Sequence, residues 1–337
     1  MSKSKLFSII MAVFFLTVTV GVGAADAQKK FNLKLGHVMS SAHPYQVGGL
    51  KFAELVKERT GGNVIIEVYP ASQLGGEREG CEALQLGTLD FQITSTAPLA
   101  NFNKSTVVFD LPFLFEDKAH ARKTLDSEYG VGKLAALESV GMVGLSYLEN
   151  SYFDIIAAKP VIEPGDMAGL TIRVLENNIL MSFMKVLGAN PVPMAWSEVS
   201  TAIQNGTIDA IHTSFVAICD LGLYKNMHYT YLDCLYTPVP LIASKITWDS
   251  LPKEYQDIIR QAAKEASVHE RQWIDDHYAE MEETAKKGGL TIHQGNSQAW
   301  IAKTVKPVYD EYVGKLIPKS DVEAVNSYRQ TPPVYVP

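Results

Sequence analysis

Two stretches, "ALQLGTLD" at Ala83–Asp90 and "AIQNGTID" at Ala202–Asp209, are near copies of one helix-to-strand corner. A helix that stops at glycine and passes at once into a strand belongs to alternating α/β structure, so a doubled corner constrains the fold more than any bulk property. The flanks agree with it. Around the first copy, "FNLKLGH" (Phe31–His37) alternates as a strand, and Tyr45–Arg59 is an amphipathic helix ended by Gly61 and Gly62. "NVIIEVYP" is a strand stopped by Pro70, Glu77–Leu86 a helix ended by Gly87, and "LDFQIT" a third strand. The second copy repeats the order: "LTIRV" (Leu170–Val174), a helix Ile179–Leu187, an extended "NPVPM", a helix from Ser197 as N-cap to Asn205 with Gly206 as its stop, and "IDAIHTS".

Two such units predict an α/β chain with two lobes, each built on a mainly parallel sheet. Ligands of such sheets bind beyond the carboxyl ends of the strands, so facing lobes enclose a cleft. Farther on, "YTPVPLIASKITWDSLP" reads as extended chain leading into a helix capped by Ser250. From Pro252 to Lys287 neither Pro nor Gly interrupts, which predicts roughly 36 residues and about 54 Å of helix, enough to lie along both lobes. Its Glu265, Glu270, Asp275, Asp276, Glu280, Glu282 and Glu283, with His269 and His277, are expected on a solvated face.

A chain of 337 residues, 47% hydrophobic and 20% charged, can fill two medium cores. Its start is read separately: Lys3 and Lys5 precede the apolar run Leu6–Val22, and Ala25-Asp26-Ala27 offers a cleavage site, so residues 1–27 are expected to be an export signal rather than a membrane anchor. Removing them takes away two Lys and one Asp and moves the formal charge from −7 to −8. Such an acidic protein is a poor partner for nucleic acid or anionic membrane. Three cysteines cannot all pair; a Cys219–Cys234 bridge and buried thiols both stay open.

Three ordered motifs carry a family resemblance: "VYPASQLGGEREGCEALQLGTLDF", "LTIRVLENNILMSFMKVLGANPVPMAWSEVSTAIQNGTIDA" and "ITWDSLPKEYQDIIRQAA". They resemble the solute-binding proteins of tripartite ATP-independent periplasmic (TRAP) transporters, of the C4-dicarboxylate-binding type. The resemblance spans essentially all of the chain after the leader. It implies a two-lobed, type II-like periplasmic-binding-protein fold, with hinge strands near Glu149 and Tyr236 and a long helix across both lobes. The implied lobes are residues 28–149 with 239–278, and 150–238 with 279–337. The implied protein is a periplasmic receptor, monomeric and without cofactor or metal, that delivers an organic acid to the small and large permease subunits and catalyses nothing.

The resemblance also implies that Arg173, on the G-L-x-I-R strand, clamps a ligand carboxylate. A guanidinium suits that task, being always charged and presenting a planar fork, although an Arg paired with a nearby Glu is the structural alternative. Two positions depart from the family pattern. Phe153 aligns where many relatives carry a second Arg, and Thr213 where many carry Asn. Further candidates lie at strand ends and in the loops after them: His37, His43 and Tyr45; Thr94, Ser95 and Thr96; Trp196; and Phe215. Each also suits cap, turn or core duty. His37 and His43 have neither helical spacing nor an adjacent third ligand for a metal.

One Arg with Phe153, Trp196 and Phe215 suggests a monocarboxylate with a flat or apolar body, an aromatic or 2-oxo acid. A C4-dicarboxylate or a sugar acid is the alternative, and a receptor presenting its ligand to a membrane sensor would have the same cleft chemistry. The chain carries no G-x-S-x-G, H-E-x-x-H or P-loop motif for an enzyme to use.

Overall fold

The computed structural model describes residues 30–337, so the expected export signal lies outside the described residues. Nine strands form one sheet: β1 (Phe31–Gly36), β2 (Val64–Tyr69), β3 (Phe91–Ile93), β4 (Met142–Ala157), β5 (Thr171–Val174), β6 (Asn190–Pro193), β7 (Ala210–Ser214), β8 (His228–Ser244) and β9 (Thr291–Gln294). Their order is β2-β1-β3-β8-β4-β7-β5-β6, with β9 joined to β8.

The doubled corner is explained by this order. β1 pairs in parallel with β2 and β3, and β5 in parallel with β6 and β7. Each triplet is then closed by a long antiparallel strand, β8 beside β3 and β4 beside β7. The two corners are equivalent places in two similar lobes, and Gly87 and Gly206 hold the positive φ (71° and 66°) that each turn requires.

β4 and β8 run through both lobes and pair with each other along most of their length. β4 is buried almost throughout, with apolar runs at both ends separated by Glu149-Asn150-Ser151. Its ladder with β8 slips between Glu149 and Tyr152 and again between Phe153 and Ile155, and Ser151 there adopts φ 55°. Opposite the first slip stand Tyr236 and Pro238, and proline cannot donate to a ladder. These slips mark the hinge.

The long helix spans Lys253–Lys287. Tyr255, Ile259, Ala262, Ala263, Ala266 and Ile274 give its buried stripe, and the alanines allow close approach to β4 and to the helix Pro44–Arg59. Gly48 sits at this contact: an added Cβ there would lie 2.5 Å from Leu148 Cδ2 and 3.2 Å from Glu270 Cβ. This contact corrects one expectation, because Glu270 is fully buried rather than solvated. Asp275 and Glu265 do face water, paired with Arg122 and Arg59.

Two helix starts are also corrected. Ser250 ends a short helix, Lys245–Ser250, whose cap is Ser244, and Pro252 precedes the long helix. Ser197 lies inside the helix Trp196–Gln204, whose N-cap residue is Ala195 and has no side-chain cap. The chain ends by packing the helix Ser297–Tyr312 on Asn178–Val186, and it then crosses to the first lobe through Lys133–Asp321 (2.6 Å) and Arg329 to the Leu114 carbonyl (3.0 Å).

Candidate functional site

Four strand ends, of β1, β3, β5 and β7, and the middle of β4 lie at the cleft between the lobes. Beyond β1, His37 Nε2 meets Gln46 Oε1 at 2.8 Å, and His43 caps the helix Pro44–Arg59 by accepting from the Tyr45 amide through Nδ1 at 3.2 Å. The Tyr45 ring stands edge-on to both imidazoles, at 6.2 and 4.5 Å between centroids. Beyond β3, Glu77 in the first turn of the helix Glu77–Leu86 accepts from the Ser95 amide (2.6 Å) and hydroxyl (2.7 Å). At the hinge, Asn150 Oδ1 accepts from Ser214 Oγ at 2.8 Å.

From the second lobe, β5 carries Arg173 and β7 carries Thr213. Arg173 is 1% exposed; its Nε donates to the Met194 carbonyl at 3.0 Å, and its guanidinium lies 5.5 Å from the Trp196 ring centroid. Cation–π contact and a carbonyl thus hold one edge of the fork.

What distinguishes this place is the set of polar atoms left over. Of the fourteen side-chain polar atoms that are buried and without a hydrogen-bond partner among the described residues, six are His37 Nδ1, His43 Nε2, Tyr45 Oη, Asn150 Nδ2, Arg173 Nη2 and Thr213 Oγ1. Tyr45 lies close to Ser95 and Asn150, and His43 close to Asn150, without hydrogen-bond geometry. Leaving one such group unpaired costs about 1–3 kcal/mol. Several in one chamber mark a site shaped for a polar guest.

Burial sets the charges. It lowers His37 to about 4, against a partial rise from Gln46, and it holds His43 well below the usual imidazole range. His212 drops to about 3 by burial, with Arg173 adding to the fall. Arg173 is lowered by burial to about 10, which leaves it charged at neutral pH, and Glu77 is raised by burial against the bonds from Ser95.

The structure brings His37, His43 and Tyr45 into ring contact, sets Thr94 and Ser95 against Glu77, and lays Arg173 against Trp196. Three of the expected residues are engaged with neighbours. Phe153 stands edge-on to His212 (5.5 Å), which also meets Phe183. Phe215 packs edge-on to Tyr229 (5.2 Å) and against Tyr278 (5.3 Å). Thr96 bonds Asp110 at 2.7 Å.

Sequence reasoning missed Glu77, Asn150 and Ser214. Glu77 looks like an ordinary first-turn acid, and Asn150 reads only as part of a hinge turn.

Direct bonds join the lobes around the chamber. Asp220 accepts from the Ser40 amide at 3.1 Å and from its hydroxyl. Asn177 donates to Asp110 at 2.9 Å, and Asn101 to the Glu176 carbonyl at 3.0 Å. A narrow mouth lies between Glu77, Pro98, Leu175, Glu176 and Trp196. A larger cavity, about 320 Å³, opens on the other side between Pro44, Cys219, Trp273 and Met281, touching the chamber at His43. All three cysteines are free thiols, and among the described residues no group of three or more His, Cys, Asp or Glu side chains is placed to hold a metal.

Residues 35–315 match the family model described as bacterial extracellular solute-binding protein, family 7. The chain is 30% identical to the C4-dicarboxylate-binding periplasmic protein DctP of Rhodobacter capsulatus, over 84% of this chain and 87% of that one. It is similar to a TRAP periplasmic solute-binding protein of Polaromonas sp. JS666 bound to D-erythronate (30% identity, TM-score 0.85, 88% of this chain and 99% of that one). It is also similar to one of Xanthobacter autotrophicus Py2 with bound β-D-galacturonate (31% identity, TM-score 0.84, 88% and 100%).

Proposed function

Since the chain belongs to the family 7 extracellular solute-binding proteins, the receptors of TRAP transporters, we propose that it closes its lobes over a hydroxylated monocarboxylate of the sugar-acid kind and delivers it to the membrane permease subunits. Family membership makes it a periplasmic transport receptor for organic acids, not an enzyme. No helix among the described residues is long and apolar enough to cross a membrane.

One observation carries the ligand class. The unpartnered atoms around Arg173 are an imidazole pair, a phenol, an amide and a hydroxyl, groups that suit hydroxyls better than an apolar surface. In this reading Arg173 takes the carboxylate through its free edge, while His37, His43, Tyr45, Asn150 and Thr213 take the oxygens along the carbon chain. The erythronate and galacturonate bound by similar proteins have this chemistry. A flat apolar body is served less well, because Phe153 and Phe215 are engaged with other rings and only Trp196 borders the chamber. A dicarboxylate would lack a second cation.

In the same reading the lobes are residues 28–149 with 239–278 and 150–238 with 279–337, and they bend at the β4 and β8 slips. The ligand stabilises the closed form because only that form touches it from both sides.

The test is calorimetric titration of protein stripped of carried ligand with D-erythronate, D-galacturonate, succinate and phenylpyruvate, alongside Arg173→Ala. Binding of the sugar acids by the wild type and not by the variant supports the reading. Preference for succinate or phenylpyruvate overturns the ligand class, and no binding by any acid overturns the carboxylate clamp.

A further inference from the structure

Arg173 is the buried cation of the chamber, and two carboxylates act on it, Glu77 more than Glu176, although neither forms an ion pair with it. The three imidazoles, His37, His43 and His212, are held neutral. Other groups around Glu77 do not alter this balance. Burial keeps the Tyr45 phenol and the Cys81 thiol protonated, while Arg78 and Glu79 are exposed to water at the mouth that Glu77 and Glu176 also line. Glu270 lies on the far side of Tyr45 and is itself raised by burial.

The single guanidinium is therefore already faced by carboxylate, and a bound monocarboxylate would add a negative charge inside closed lobes with no second cation to offset it. Burying an unpaired charge is costly enough that such groups change protonation instead. Two carboxylates competing for one guanidinium cannot both stay ionised cheaply, and the pair then holds one proton between them. Glu77 is placed to take it. One of its oxygens is held by the Ser95 amide and hydroxyl, and no hydrogen bond engages the other.

We infer that the acid enters this chamber together with one proton from solvent, taken up by the Glu77 carboxylate, so that ligand capture is proton-coupled. The inference rests on the carboxylate-receptor reading above and adds to it a pH dependence. A protonated Glu77 can donate to the ligand carboxylate or to the hydroxyl beside it, which makes the proton part of the recognition. Affinity is then greatest where the proton is available and falls as pH rises, by up to tenfold per pH unit where uptake is complete.

The test is titration of D-galacturonate and D-erythronate into the full chain, in pairs of buffers with different protonation enthalpies, between about pH 5.5 and 8. Both acids are ionised throughout that range, so any proton taken up belongs to the protein. The expected result is uptake approaching one proton per ligand, lost in Glu77→Gln together with the pH dependence of Kd. It persists in Asp110→Asn, which removes a buried carboxyl that bonds Asn177 across the lobes. Wild-type binding without proton uptake at any pH overturns the inference and needs no variant. Uptake unchanged in Glu77→Gln, or lost in Asp110→Asn, also overturns it. Failure of every acid to bind overturns the receptor reading instead, and the proton coupling falls with it.

Discussion

Arg173 Nε donates to the carbonyl of Met194 at 3.0 Å, and that bond decides which edge of the guanidinium can meet a ligand. Met194 follows β6, which runs beside β5, so the parallel pairing aims the fork into the cleft. Nη2 is the buried nitrogen without a partner.

Replacing Arg173 with Lys keeps the charge and removes the fork. A charge-assisted bond contributes about 1.5–3 kcal/mol, so Arg173→Lys is expected to weaken sugar-acid binding by ~100-fold while the unliganded melting temperature falls little. Calorimetry and a thermal melt of the same sample separate the two effects.

At the hinge, the fully buried Glu149 accepts from Arg122 through Nε and Nη2, both at 2.8 Å, and from the Tyr236 hydroxyl. Arg122 in turn reaches Asp275 on the long helix at 2.6 Å. Glu149→Gln breaks the bidentate pair but leaves Arg122 its second partner, so a loss of ~2 kcal/mol is expected in urea unfolding.

Asp220 lies outside the chamber and ties its helix to Ser40 across the cleft. If closure is what the ligand stabilises, Asp220→Ala should weaken binding by about five- to tenfold through the open–closed equilibrium alone, since the bonds from chamber to ligand stay as they were. Small-angle scattering should show a larger open fraction in the ligand-free variant.

Asp110 sits between Thr96 and Asn177, and burial raises its carboxyl from 3.8 to about 7 against the bonds from both. Between these values the folded chain holds a proton that the unfolded chain has released, so this group makes stability fall as pH rises from about 4 to 7, with the full loss present above 7. Asp110→Asn should therefore match the wild type near pH 4 and exceed it at pH 8, by on the order of 3 kcal/mol. Chemical denaturation at both pH values checks the sign.

The doubled corner made the two triplets legible, because apolar alternation and stops at Gly87 and Gly206 are local signals. The long helix was legible for a similar reason, the absence of Gly and Pro from Lys253 to Lys287. β4 and β8 were legible only as a hinge near Glu149 and Tyr236. Their length is hidden by Glu149-Asn150-Ser151 in one strand and by Pro238 and Pro240 in the other, which read as breaks. Tertiary contacts with the first helix and β4 bury Glu270, and no residue near it in sequence announces them. In the chamber, Arg173 was singled out by the family resemblance together with its place on the strand Thr171–Val174. The partnerships of Glu77 with Ser95 and of Asn150 with Ser214 were not, since each joins segments far apart in the chain.

A crystal structure of the chain with bound D-galacturonate tests the central claim most directly. The account predicts the carboxylate on the free edge of Arg173, Glu77 within hydrogen-bond reach of it or of the adjacent hydroxyl, and ring hydroxyls on His37, His43, Tyr45 and Asn150. A carboxylate bound away from Arg173, or a ligand in the cavity beside Trp273 with the chamber filled only by water, would contradict it.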